Sequence, residues 1–261
     1  MVTRVARIHS GNLAHHLRLC ITRTWLLVCR QVVIYTDELV VLGSAIDSVA
    51  IFATEFNKGD SVNTFLHVGC GPKRKDRTTR GFNTPDWHEI RLDIDPTANP
   101  DIIGTMTDMS AVAAESVDAI YSSHNIEHLY PHEVPIALAE FKRVLKPDGF
   151  VVITCPDLQA VCALIAEDKL TEPAYDSPAG PIAPLDILYG LRSSMANGNL
   201  YMAHRCGFTQ KVLTGTLQAS GFVTVASKKR AHPYYDLWAL GTKGTMTEDV
   251  LRKLAAEHFP G

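Results

Sequence analysis

The sequence predicts an α/β fold: a mostly parallel sheet with helices on both faces, an antiparallel C-terminal strand, and an irregular insertion after strand five. Three observations predict it. Short apolar runs alternate with helical stretches from Thr64 onward, and strands separated by helices pair in parallel through right-handed crossovers. The first apolar run ends in Gly-x-Gly, the mark of a tight turn leaving a strand. Pro173, Pro178, Pro181 and Pro184 break any helix between Thr171 and Pro184.

The chain opens on a basic stretch. The first 36 residues hold Arg4, Arg7, Arg18, Arg23 and Arg30 and no acid before Asp37. An organelle-targeting segment is basic and acid-poor in this way, a basic helix could lie on an acidic surface, and a variable extension is the plainest reading. Residues 1–58 are therefore set apart as a basic N-terminal extension. Residues 59–261 are read as one domain with its insertion at about 171–205.

Within that domain, Thr64–Val68 reads as a buried strand and Glu89–Ile94 as a second. Ser116–Ser122 is the third candidate, and the β-branched run Phe150–Thr154 is the clearest strand. Pro135–Leu145 reads as a helix, because Val134, Leu138, Phe141 and Leu145 form one apolar stripe. Pro147-Asp148-Gly149 then stops it and turns the chain. Asp157–Leu170 and Thr209–Ala219 are further helices, and Phe222–Lys229 and Tyr235–Thr242 further strands. The insertion, through His204, is read as a substrate lid, since long loops beside a parallel sheet carry function, with a plain linker as the alternative.

Composition narrows the classes. A length of 261 residues with 46% hydrophobic residues supports one large packed domain. A net charge of −3 lacks the basic bias of a nucleic-acid-binding domain. The six cysteines form no CxxC pair, so a zinc framework is not expected. They are read as reduced thiols of a cytoplasmic protein. No apolar run reaches the roughly 18 residues that span a bilayer; Cys20–Tyr35 is interrupted by Arg23 and Arg30.

The chemistry concentrates in Phe65-Leu66-His67-Val68-Gly69-Cys70-Gly71-Pro72. Glycine admits unusual φ and lets a ligand approach the backbone closely. The second strand ends at Asp93, 22 residues after Gly71. An acid at that tip can accept hydrogen bonds from both ribose hydroxyls of a nucleoside. The dinucleotide fingerprint needs a third glycine three residues on, where Arg74 stands. A pocket for a cofactor without phosphates is therefore favoured over a pyrophosphate cradle.

These residues resemble the class I, Rossmann-like S-adenosylmethionine-dependent methyltransferases. Val68-Gly69-Cys70-Gly71-Pro72 is similar to their first motif and Leu92-Asp93-Ile94-Asp95 to their second. Thr107-Asp108-Met109 sits where they hold the adenine. The stretch from Ser116 to Leu129 resembles their fourth strand and following loop, Glu140–Gly149 the helix and turn before strand five, and Gly221-Phe222 the turn before strand six. The resemblance implies S-adenosyl-L-methionine as cofactor, bound by His67, Gly69, Gly71, Asp93, Ile94, Asp108, Met109 and His124. Two departures stand out: His67 where the family has an acid, and Lys73 where it often has a third glycine.

Methyl transfer from a sulfonium is an in-line displacement with a neutral thioether leaving. A base is needed only if the acceptor must lose a proton. His124, which follows the strand at the sheet's carboxyl edge, and His204, which could face the acceptor, are the catalytic candidates, ahead of His128 and Asp157. A small molecule or a sugar is the expected acceptor; no membrane partner is expected, nor a nucleic acid. A non-catalytic protein that keeps the nucleoside pocket is the alternative, and a nicotinamide oxidoreductase the third reading.

His124, His128 and His132 recur every four residues beside Glu127 and Glu133. On one helix they would make a metal stripe, but Pro131 interrupts it, and no metal is expected. Trp87, Trp238, Tyr234 and Tyr235 are read as core or hairpin residues, with core favoured, rather than as a stacking platform. Thr209 is either a helix N-cap or near the acceptor.

Overall fold

The computed structural model describes residues 62–261 and, before them, an antiparallel hairpin of β1 (Val33–Tyr35) and β2 (Glu38–Val40). The rest of the 1–58 extension lies outside the described residues.

A seven-stranded sheet forms the domain. Its strands are β3 (Asn63–Val68), β4 (Trp87–Asp93), β5 (Ile102–Ile103), β6 (Val117–Ser123), β7 (Leu145–Pro156), β10 (Thr224–Arg230) and β11 (Asp236–Thr242). They lie in the order β10-β11-β7-β6-β3-β4-β5. All neighbours among β3 to β7 pair in parallel, while β11 runs antiparallel to both β7 and β10. The chain starts in the middle at β3, builds outward through β4 and β5, then returns to the other side with β6. That reversal opens a crevice at the carboxyl ends of β3 and β6, the usual ligand position in open α/β sheets.

Alternation along the strands divides the core in two. Leu66, Val68, Val151, Ile153, Leu237 and Ala239 face one layer with helices α1 (Val134–Val144) and α5 (Gln210–Ala219). Phe65, Tyr121, Phe150, Val152 and Leu240 face the other. That second layer is covered by Phe82, Trp87 and the C-terminal helix α6 (Glu248–His258). Phe65 stacks on Phe82 with ring centroids 4.3 Å apart, and Phe82 meets His258 at 4.3 Å. Between β3 and β4 the described chain has a single turn of 3-10 helix, Lys75–Arg77, so the crossover is loop and aromatic side chains rather than an α-helix.

Two expectations change in detail. The turn expected at Pro147–Gly149 is a bulge inside β7: Leu145 pairs with Val117 and Phe150 with Ala119, so Lys146–Gly149 loop out. The insertion is ordered rather than irregular. After α2 (Leu158–Ala166) come the hairpin β8 (Tyr175–Ser177) and β9 (Gly180–Ile182), then α3 (Pro184–Tyr189) and α4 (Arg192–Ala196). Its prolines break the long helix but suit this arrangement; Pro184 starts α3, where its missing N–H costs nothing. Val161, Ile182 and Ile187 give the insertion its own small core. Its ends meet, since the Leu158 N–H donates to the Phe208 carbonyl at 2.9 Å. Thr209 caps α5, its hydroxyl accepting from the Val212 N–H.

Candidate active site

The glycine turn and the acid of the second strand come together. Gly69 and Gly71 have φ of 65° and 50°, the left-handed region in which a Cβ is costly. The Gly71 N–H donates to Asp93 Oδ2 at 2.7 Å, and the Asp95 N–H donates to Oδ1 at 2.9 Å. Asp93 is 8% exposed, so its carboxylate is fixed by main chain at the mouth of the crevice. A Cβ on Gly71 would meet nothing within 4 Å, leaving open space beside Asp93. A Cβ on Gly69 would lie 1.9 Å from Asn125 Nδ2. Asn125, from the chain leaving β6, therefore packs directly on the turn.

Arg91 builds the underside of this turn. It is buried, and its guanidinium donates to the carbonyls of Gly71 at 2.5 Å, Lys73 at 3.1 Å, Ala98 at 3.1 Å and Asn99 at 2.7 Å. One side chain thus joins the loop after β3 to the loop after β4. Its signal in the sequence is an arginine inside a predicted buried strand, two residues before Asp93 and on the same face.

His67 stands beneath the turn, buried, with Nδ1 2.7 Å from Glu89 Oε1. Burial pushes its pKa down, against the opposing pull of Glu89. Glu89, on the neighbouring strand, thus sets an acid against His67.

Ile94 projects from the end of β4 and is 40% exposed. Asp108 is exposed on the loop after β5, where hydrogen bonds from Ser110 hold its carboxyl below the usual range. The Met109 side chain packs into the core, so its backbone is what borders the loop. That backbone is clamped to α1: Glu140 accepts from the Met109 N–H at 2.8 Å, and Arg143 donates to its carbonyl at 2.7 Å.

His124 follows β6 with φ of 51°, a strained value for a non-glycine residue and one that clusters at functional sites. Its side chain is 46% exposed, with Nδ1 3.5 Å from Glu127 Oε1 and Nε2 4.0 Å from Asp236 Oδ2. It lines a cavity of about 610 Å³ with Tyr175, Asp176, Arg230, Tyr234 and Asp236. Arg230 pairs with Asp236 and lies over the Tyr234 ring, 3.9 Å from its centroid. Tyr234 is therefore an exposed wall of the cavity, in the hairpin connection between β10 and β11 rather than in the core. Trp87 and Trp238 do pack on the second core layer.

His204 lines a different and smaller cavity, with Glu127, Leu158 and Ile187. Its Nδ1 lies 2.8 Å from the Ile187 carbonyl, and burial pushes its pKa down. His124, His128 and His132 share no helix: residues 126–128 form a 3-10 turn and α1 begins at Val134. Cys70 and Cys155 are buried, and burial pushes the Cys70 thiol up to about 11, which keeps it protonated and unreactive.

Residues 66–153 match the family model of a methyltransferase domain. That segment runs from β3 to β7 and contains the turn, Asp93 and His124. No curated protein sequence matches the chain. Among solved structures, it is similar to a possible exported protein from Bordetella parapertussis, at 16% identity and TM-score 0.44, covering 70% of this chain and 62% of that one. The chain thus spans less than two thirds of that protein's length. It is also similar to the 1,6-didemethyltoxoflavin-N1-methyltransferase of Burkholderia thailandensis, at 15% identity and TM-score 0.45, with 92% and 95% covered. A possible histamine N-methyltransferase from Thermotoga maritima matches at 14% identity and TM-score 0.42, with 69% and 81% covered. The match makes residues 66–153, with this strand order and this glycine turn, similar to a methyltransferase domain.

Proposed function

We propose that the chain moves the methyl group of S-adenosylmethionine to a small-molecule or sugar acceptor held in the cavity beside His124. The observation that carries this reading is the 2.7 Å bond between the Gly71 N–H and Asp93, with open space next to it at the tip of β4. Asp93 keeps lone pairs free for both ribose hydroxyls, and Ile94 offers an apolar wall for the adenine. Asp108 and the Met109 backbone border its far side. Gly69 and Gly71 let the cofactor approach the main chain. His67 underlies the methionine end.

The roughly 610 Å³ cavity suits a small acceptor. Its walls combine aromatic faces with Arg230 and two carboxylates, which fits a polar molecule carrying a ring. His124, between Glu127 and Asp236, is placed to take a proton from an acceptor hydroxyl or amine, because both carboxylates favour the imidazolium that forms. Most of the acceleration comes from holding acceptor and methyl in line, a contribution of roughly 7–11 kcal/mol at most. His204 faces the smaller cavity and supports the site from there.

Calorimetry with S-adenosylhomocysteine tests the cofactor half. The unaltered chain binds one equivalent, and Asp93→Ala weakens binding about 100-fold, the equivalent of about 2.7 kcal/mol. Unchanged binding in that variant would sink the ribose assignment. Methyl-labelled cofactor incubated with fractionated extract tests the acceptor half. Label in the low-mass fraction, reduced in His124→Ala, supports the reading. Label in RNA or protein alone contradicts it. Tight binding with no transfer anywhere would instead favour the non-catalytic alternative.

A further inference from the structure

We propose that Glu127, His128 and His204 form a binding site for one divalent first-row transition-metal ion, of which zinc is the type, beside the smaller cavity. One oxygen of Glu127 and one ring nitrogen of each histidine lie within 4.8 Å of one another. Tetrahedral zinc, with bonds of roughly 2.0–2.2 Å, holds such ligands about 3.4 Å apart. Side-chain adjustments of about 1 Å close the difference.

Two independent observations point to a ligand here. The first is Glu127 itself. Its side chain is 1% exposed, and among the described residues neither carboxylate oxygen has a hydrogen-bond partner. A buried carboxylate is costly unless paired or metal-bound. The nearest cationic candidate is the His124 ring nitrogen, 3.5 Å away on a half-exposed side chain. The second is the setting of the two histidines. His128 Nδ1 lies 3.1 Å from the Ala203 carbonyl and His204 Nδ1 lies 2.8 Å from the Ile187 carbonyl. A carbonyl only accepts, so each Nδ1 carries the proton and each neutral ring keeps its lone pair on Nε2. Metal-ligating histidines are oriented in this way by an outer partner.

The donor set defines the ion. Two imidazoles and one carboxylate suit zinc, iron or nickel better than magnesium or calcium, which take oxygen ligands. Three protein ligands leave a coordination position free, and the cavity of about 200 Å³ lined by Glu127 and His204 adjoins it. Glu127 and His128 follow β6, whereas His204 ends the insertion. The ion would tie the insertion to the sheet. The claim shares Glu127 with the proposed support of His124, but it rests on no acceptor and on no catalytic step.

The test uses the full chain, stripped with a chelator and titrated with zinc against a chromophoric competitor, and separately with cobalt(II) read by visible absorption. One equivalent binds with micromolar or tighter affinity. Glu127→Gln and His204→Ala each weaken binding by more than the roughly 10–100-fold that loss of an outer partner costs. His132→Ala leaves it unchanged. X-ray absorption on the zinc-loaded unaltered chain keeps the claim testable if those variants do not fold: imidazole nitrogen and oxygen neighbours support it, and sulfur from Cys206 contradicts it. Failure to bind zinc or cobalt, or full affinity in folded Glu127→Gln, overturns the site. S-adenosylhomocysteine binding measured on the same samples is independent of either result, so failure here leaves the methyl-transfer reading standing.

Discussion

The two halves of the site are built differently. On the proposed cofactor side, Gly69, Gly71, Arg91 and Asp93 lie within one β-loop-β unit, joined mostly through main-chain groups. On the other side, Glu127 and His128 meet His204 from an insertion more than 70 residues on. The Arg205 and Cys206 N–H groups both donate to the Glu127 carbonyl. The first half is local and tolerates little change. The second depends on a separately folded segment docking on the sheet, and its single substitutions spread into the insertion.

The largest expected effect is on the local half. Gly69→Ala places a Cβ against Asn125 in a left-handed backbone, and a loss of about 4 kcal/mol or more in denaturant unfolding follows, with cofactor binding abolished. Gly71→Ala has the same backbone strain but open space, so it costs only about 1–2 kcal/mol of stability while still blocking the cofactor. Equal stability losses in the two variants would break the distinction between them.

Arg91→Met comes next. It leaves four loop carbonyls without their donor. Stability falls by about 3 kcal/mol, and S-adenosylhomocysteine affinity falls with it, because the turn loses its underside.

Acid should weaken the layer beneath the turn. Burial holds the pKa of His258 down to about 4, against about 6.5 in an unfolded chain. The unfolded state therefore binds more protons between these values. The stability due to neutral His258 is complete above about pH 6.5 and is lost as pH falls toward 4, on the order of 2 kcal/mol by pH 4.5. Urea titrations from pH 7 to 4.5 should show a steeper decline in the unaltered chain than in His258→Gln.

Thr209→Ala is the smallest, about 1 kcal/mol from the lost cap of α5, with cofactor binding unchanged. A drop in cofactor affinity there would mean that the halves are more tightly joined than described.

The sequence made the local half readable and the distant half not. The strand-turn-strand unit shows because apolar runs, Gly-x-Gly and Asp93 are close together and each has a separate physical signature. Arg91 passed unnoticed, since its partners are carbonyls and carry no residue identity. Likewise Glu89, which meets His67 across neighbouring strands, depends on a register that only the folded sheet fixes. The insertion looked irregular because prolines hide short elements: the same residues that exclude a long helix can flank a hairpin and start a short helix. The histidine spacing would group three histidines on one helix, but Pro131 interrupts it. The fold instead brings His204 beside His128, with ring centroids 4.8 Å apart, a neighbour that no spacing near His128 announces. The C-terminal helix α6, whose Leu251 and Leu254 pack on the second core layer, was missed for a related reason: its apolar stripe is narrow and most of its surface is polar.

A crystal structure with S-adenosylhomocysteine bound tests the central claim most directly. The account predicts the adenosine in the notch between Gly71 and Ile94, with both ribose hydroxyls on the Asp93 carboxylate and the sulfur directed toward His124. A nucleoside bound elsewhere, or ribose hydroxyls turned away from Asp93, would contradict it.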